Sequence, residues 1–229
     1  MKRLTIYTEA AYTVGLIMLT FGTALMTAGN FGISMVVAPA YILHLKLSQL
    51  CPFFSFGVAE YLLQAVIIIL MMLILKRVRI IYLLTFIHTA VYGIFLDLSM
   101  AVMPEITNNA YFVRGAVYLC GVLFCTSSLA LLFKSYLPLA AYEAFVKNIS
   151  QRFNFKLFTL KTVFDCSFCV IAVVLSLIFF GEIKGVGVGT IICAMLYGTI
   201  INLFTKLFNK IFVFKDRFSF KIFKEREGK

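Results

Sequence analysis

Six polar side chains stand inside or beside long apolar stretches of this chain: Glu60, His88, Asp97, Glu143, Asp165 and Asn202. Ionisable groups in such surroundings are costly and therefore informative. A carboxylate there can carry a proton or hold a cation, an imidazole can relay a proton, and an amide can orient a polar solute. Each has a quieter reading as well. Glu60 opens an apolar segment with Gln64 at i+4, where the helix dipole favours an acid. Asp165 has Lys161 at i−4 and suits a structural ion pair. His88 lies beside Thr89 and one turn from Thr85, which suits a hydrogen-bonded structural histidine. Asp97 falls near a helix C-terminus, where the dipole disfavours an anion. It needs a donor, and Arg114 on the following segment is the candidate.

These residues belong to a repeat. Thr85, Tyr92, Gly93, Asp97 and Leu98 recur as Thr190, Tyr197, Gly198, Asn202 and Leu203, a constant shift of 105 positions. The same shift carries Glu60 onto Asp165 and His88 onto Cys193. The paired glycines Gly93 and Gly198 mark close helix packing or a hinge.

Stepping from residues to elements, the chain is 62% hydrophobic and 14% charged. Soluble domains sit nearer about 45–50% apolar and about 25% charged, so this is an all-α integral membrane protein. Six segments are long enough to span, near 7–28, 57–75, 80–100, 111–133, 161–180 and 187–206. Two weaker apolar segments, 33–50 and 137–149, follow the first span of each half. Pro39 and Pro138 lie near their starts as candidate hinge positions. In the second, Glu143 and Lys147 share one helix face. Re-entrant, interfacial and spanning placements all remain open for these segments. The apolar run behind Lys2 and Arg3 is read as a retained first span rather than a signal peptide.

Charge decides the topology. With the weak segments not crossing and the N-terminus inside, 18 of 21 Lys and Arg fall on the cytoplasmic side, a strong positive-inside bias. Both termini are then cytoplasmic. Each half has three crossings, so the repeat is inverted: residues 1–103 form one membrane repeat, 104–206 the second, and 207–229 a basic–aromatic tail suited to lipid headgroups. Glu60 and Asp97 are expected near the outer end, Asp165 and Asn202 near the inner end, as two half-sites. The net charge of +11 follows membrane topology rather than a nucleic-acid face.

The segment Asn30-Phe-Gly-Ile-Ser34-Met-Val-Val-Ala-Pro39, together with Gly187-Val-Gly-Thr190, Tyr197-Gly198 and Asn202-Leu-Phe204, resembles the bacterial YczE/YyaS/YitT membrane proteins over nearly the whole chain. That resemblance implies a bacterial inner-membrane protein of five or six spans, with some relatives grouped with exporters. The run Gly185-Val-Gly187-Val-Gly189-Thr190 follows no strand, so a hinge or loose helix start is preferred to a dinucleotide loop.

No nucleophile–base pair or metal-ligand spacing stands out, and the lone Cys166-x-x-Cys169 sits inside an apolar segment. An enzyme, a metal site and a cofactor are therefore not expected. The expected partners are the lipid bilayer and an unidentified small molecule or ion, with a homodimer or a transport-complex partner left open. The leading reading is a secondary transporter, export being one direction open to it, that alternates access between its halves. The alternatives are a substrate-binding subunit of a larger transport complex and a non-transport assembly or sensing protein.

Overall fold

The computed structural model describes residues 4–78, 80–103, 106, 110–135 and 137–217. The expected tail is thus described only as far as Arg217. Among these residues are eight helices: α1 Thr8–Gly29, α2 Ala38–Leu47, α3 Phe56–Leu75, α4 Ile80–Val102, α5 Tyr111–Leu132, α6 Ala141–Phe153, α7 Leu157–Phe180 and α8 Val188–Ile211. Two short strands, β1 Leu4–Tyr7 and β2 Phe212–Lys215, complete the list. Six of the helices (α1, α3, α4, α5, α7 and α8) contain a stretch long and apolar enough to cross a membrane. They correspond to the six expected spans. At 1.5 Å per residue each covers about 30 Å or more.

The weak segments become α2 and α6, with 10 and 13 residues. These reach about 15 and 20 Å, too short to cross. Each begins in the protein interior and ends at the surface. Ala38 and Ala141 are fully buried, whereas Leu50 just beyond α2 and Phe153 at the end of α6 are exposed. This is the re-entrant arrangement: irregular backbone lies at membrane depth only where protein covers it. Pro39 sits in the first turn of α2, where its missing N–H costs nothing.

The helix contacts have the symmetry of the repeat. α1 packs on its counterpart α5. The pairs α3–α4, α1–α4 and α2–α3 recur as α7–α8, α5–α8 and α6–α7, and α3–α6 recurs as α7–α2. The α1–α5 crossing is antiparallel. Gly15 faces Leu132 and Ser128, Gly22 faces Gly121 and Cys125, and Gly29 faces Tyr118 and Arg114. These three glycines, spaced by seven residues, let the two backbones approach closely.

The strands were not legible as such. β1 and β2 pair in parallel, Leu4 opposite Phe212 through Tyr7 opposite Lys215. Thr8 donates to the Asp216 carboxylate at 2.9 Å, and the Arg217 amide donates to Glu9 at 3.0 Å. Residues 4–9 and 212–217 therefore meet at one face of the bundle, here termed the terminal face. Six spanning-length helices lie between these two segments, three per half, so the halves are inverted relative to each other. α6 opens toward the terminal face and α2 toward the opposite one.

Candidate functional site

The deepest polar cluster is built where α6 starts. Its first N–H groups lack helical partners, and Ala140, just before the helix, offers no side-chain cap. Gln64 on α3 supplies the acceptor, taking a hydrogen bond from the Ala141 amide at 3.1 Å and another from Thr89 on α4 at 3.0 Å. Gln64 lies about 12 Å along α3 from its start, so α6 begins deep in the bundle. The Gln64 amide nitrogen in turn donates to Glu60 at 3.1 Å, and the Tyr142 hydroxyl donates to the other Glu60 oxygen at 3.0 Å. Glu60 is only 1% exposed. None of the three ion pairs in the described residues reaches it.

Beside Glu60 lies a cavity of about 30 Å³. It is lined by the starts of both re-entrant helices, through Ser34, Val36 and Val37 before α2 and Ala140, Tyr142 and Glu143 at α6. Thr23, Gln64, Tyr92, Cys125 and Tyr197 also face it, and no Lys, Arg or His does. The repeat-related Tyr92 and Tyr197 thus meet at one cavity.

A buried charge triad adjoins this cavity. Lys161 on α7 lies 2.9 Å from Asp165 and 3.6 Å from Glu143. All three residues are 5% exposed or less. Burial pushes the Glu143 carboxyl above the usual carboxylate range, while the Lys161 ammonium pulls it down. One ammonium thus serves two buried carboxylates, with Glu60 a third nearby. Isolated charges at such depth are strongly penalised, so the triad holds together or not at all.

The two half-sites expected at opposite ends do not exist as such. Glu60 and Glu143 converge on one cavity, and Asp165 joins through Lys161. Re-entry of α6 carries its first turn to the depth of Glu60, which periodicity alone could not reveal. Asp97 is elsewhere and already occupied. It accepts from the Ser55 hydroxyl at 2.6 Å and the Gly57 amide at 2.7 Å, capping the start of α3 where the dipole favours an anion. Arg114 is not its donor; it binds the carbonyls of Gly29 and Asn30. Asn202 is half-buried on α8 and does not line the cavity.

His88 is 4% exposed. Its Nδ1 bonds the Tyr12 hydroxyl, which also donates to the Pro138 carbonyl at 3.1 Å. Nε2 is left buried without a partner. Pro138, expected as a hinge, thereby anchors the approach to α6.

Gly93 packs against the Gly57 backbone, where an added Cβ would sit 3.0 Å from the Gly57 carbonyl oxygen. Its mate Gly198 meets nothing within 4 Å, so close packing does not explain glycine there. The glycine-rich start of α8 is tight rather than loose. Gly189 donates to the Phe31 carbonyl at 3.0 Å, and Thr190 donates to the Ile33 carbonyl at 2.8 Å. An added Cβ at Gly187 would lie 2.2 Å from the Phe31 oxygen. The two motifs that stood out in the sequence, 30–39 and 187–190, therefore interlock in space.

Six spanning-length helices and two buried re-entrant ones define a multi-pass membrane protein in contact with the lipid bilayer. Residues 6–206 match the model of a family of unknown function, DUF6198, and the chain belongs to that family. No curated protein and no solved structure is a significant match.

Proposed function

We propose that this protein is a secondary transporter of a small solute, working by alternating access around the Glu60 cavity. The observation that carries the reading is Glu60 itself, an acid buried at membrane depth where two re-entrant helices converge, bonded only by neutral groups. Such a carboxylate must carry its proton or be matched by a cation that arrives with the cargo. Inverted halves whose short helices open to opposite faces supply the geometry for exposing one site alternately to each side.

In this reading Glu60 is the coupling acid. Asp165 acts through Lys161 and Glu143 to hold the α6 start, and the tyrosines Tyr92, Tyr142 and Tyr197 contact the cargo. Asp97 and Asn202 support helices rather than cargo. His88, next to Thr89 and open at Nε2, is a candidate proton relay toward Gln64 and Glu60. The chain acts as a carrier, not an enzyme. It lies in a bacterial inner membrane with both termini cytoplasmic, as the distribution of Lys and Arg favours, so α6 opens inward and α2 outward. The likeness to YczE/YyaS/YitT proteins, some grouped with exporters, supports transport and leaves export as one direction.

Cys125 is buried, lines the cavity and is one of six cysteines. With the other five replaced by serine, an impermeant thiol reagent should modify Cys125 when applied to either face, in whole cells and in inverted vesicles. Modification from one face only, or from neither, would overturn alternating access.

A further inference from the structure

We propose that the cargo of the Glu60 cavity is a small monovalent cation, an alkali-metal ion or a compact ammonium ion, which takes the place of the Glu60 proton. The inference rests on the transport reading of this site and gives it a substrate class.

Charge is the first argument. The cavity wall presents two carboxylates, Glu60 and Glu143, and no basic side chain. The nearest ammonium, Lys161, is already shared between Glu143 and Asp165. Three buried carboxylates against one ammonium leave two positive charges to be supplied by protons or by cargo. Helix N-termini contribute only about half a charge each.

Donor and acceptor chemistry is the second. Two helix starts could in principle hold an anion through free N–H groups. Here three of those groups are taken. The Ala141 amide is bonded to Gln64, and the Val37 and Ala38 amides to the Ser34 carbonyl, at 3.1, 3.0 and 2.9 Å. The polar residues in its otherwise largely apolar lining are mostly oxygen-bearing, Glu60, Glu143, Gln64, Tyr92, Tyr142 and Tyr197 among them. Oxygen ligands suit hard cations, and tyrosine rings also attract an ammonium.

Size is the third. A cavity of about 30 Å³ holds roughly two waters at 10–15 Å³ each. A bare alkali ion or a methylammonium-sized ion fits this space, whereas sites for drug-sized solutes run to about 300–1,000 Å³.

The exchange balances. The Glu60 O–H bond breaks, its proton passes to water, and the cation binds the same carboxylate oxygens, so one positive charge leaves as one arrives. The titratable groups facing this event are Tyr92 of α4, Cys125 of α5, Tyr142 and Glu143 of α6, and Tyr197 of α8, with Lys161 and Asp165 of α7 behind Glu143.

The test is proton release from the purified full-length protein in weakly buffered detergent solution near neutral pH. Sodium, potassium and methylammonium chlorides are added separately, with tetrabutylammonium chloride as a bulky control. The expected result is a saturable release approaching one proton per chain with at least one small cation and none with the bulky one. Saturation by sodium or potassium alone assigns a metal ion; saturation by methylammonium alone assigns an ammonium. The release should vanish in Glu60→Gln and persist at altered affinity in Glu60→Asp, both eluting as monodisperse protein. Absence of release with every small cation, equal release with tetrabutylammonium, or release that survives in Glu60→Gln would overturn the inference. If Cys125 is modified from both faces while no cation releases a proton, transport stands and the cation assignment falls. One-sided modification removes the transport reading itself, whatever the protons do.

Discussion

The two re-entrant helices occupy equivalent places in an inverted repeat, yet they are held by opposite chemistry. α2 is seated in an apolar seam of Ile33, Ala38 and Ile42 against Ala172 on α7, with Leu175 and Phe179 around it. Its start is bonded through neutral groups, Thr190 donating to the Ile33 carbonyl, and at its far end His44 donates to the Phe54 carbonyl at 2.8 Å and Lys46 lies near Phe180. α6 is seated on Gln64 and Glu60 on one side and on Lys161 and Asp165 on the other. An apolar seam resists opening by area and is indifferent to protons. A set of charge-dependent bonds can be made or broken by one proton. The difference teaches that two short helices of one shape, in equivalent places of the repeat, need not be held alike: the start of α6 rests on buried carboxylates and that of α2 does not.

The largest expected effect comes from removing the cation that holds α6. Lys161→Met leaves Glu143 and Asp165 buried without a partner and should cost about 3–5 kcal/mol, read as a lowered thermal midpoint in detergent. Neutralising the acids as well, with Glu143→Gln and Asp165→Asn, should recover much of the loss. pH enters through Glu143. Its raised carboxyl keeps a proton in the fold that the unfolded chain has already released above its ordinary pKa. The associated stability is therefore present at low pH and lost as pH rises through the folded value. Lys161→Met removes the opposing ammonium and should push that loss to higher pH.

Tyr142→Phe is the next step down. It removes a donor from buried Glu60 and should destabilise by about 2 kcal/mol. The apolar counterpart on α2, Ile42→Ala, should cost a similar about 2–5 kcal/mol but without any change in pH dependence. A matching pH shift in Ile42→Ala would erase the distinction between the two short helices.

The smallest effects compare repeat mates. Gly93→Ala must displace the Gly57 backbone and should destabilise by about 1 kcal/mol or more. Gly198→Ala meets open space inside a helix and should be neutral or stabilising by up to about 1 kcal/mol. Equal losses at both positions would mean that the halves pack alike.

Much of this architecture was legible in the sequence. The six spans appear in the apolar run lengths, and the duplication in the shift that carries Thr85–Leu98 onto Thr190–Leu203. The short segments stood out as weaker, and the Lys and Arg distribution favoured their not crossing. The site was only half legible. Glu60, Glu143 and Asp165 stood out as acids in apolar surroundings, but their convergence depends on how deep α6 re-enters, a tertiary fact. Asp97 looked the most costly because only its own helix was in view; its donors, Ser55 and Gly57, lie at the start of α3. The α1–α5 contact had a signal that went unused, the spacing of Gly15, Gly22 and Gly29. The pairing of β1 with β2 had none, since two four-residue strands at opposite ends of the chain carry no local pattern that joins them.

The central claim is that α6 opens the Glu60 cavity to the terminal face. Asn148 on α6 lies against Met71 on α3, 3.7 Å from its sulfur, and neither residue lines the cavity. With both replaced by cysteine and joined by oxidation, in protein whose other thiol is Cys125 alone, α6 is tied shut. The account predicts that modification of Cys125 from the terminal face is abolished, that modification from the opposite face persists, and that reduction of the tether restores the first. Undiminished modification from the terminal face with the tether closed would contradict it.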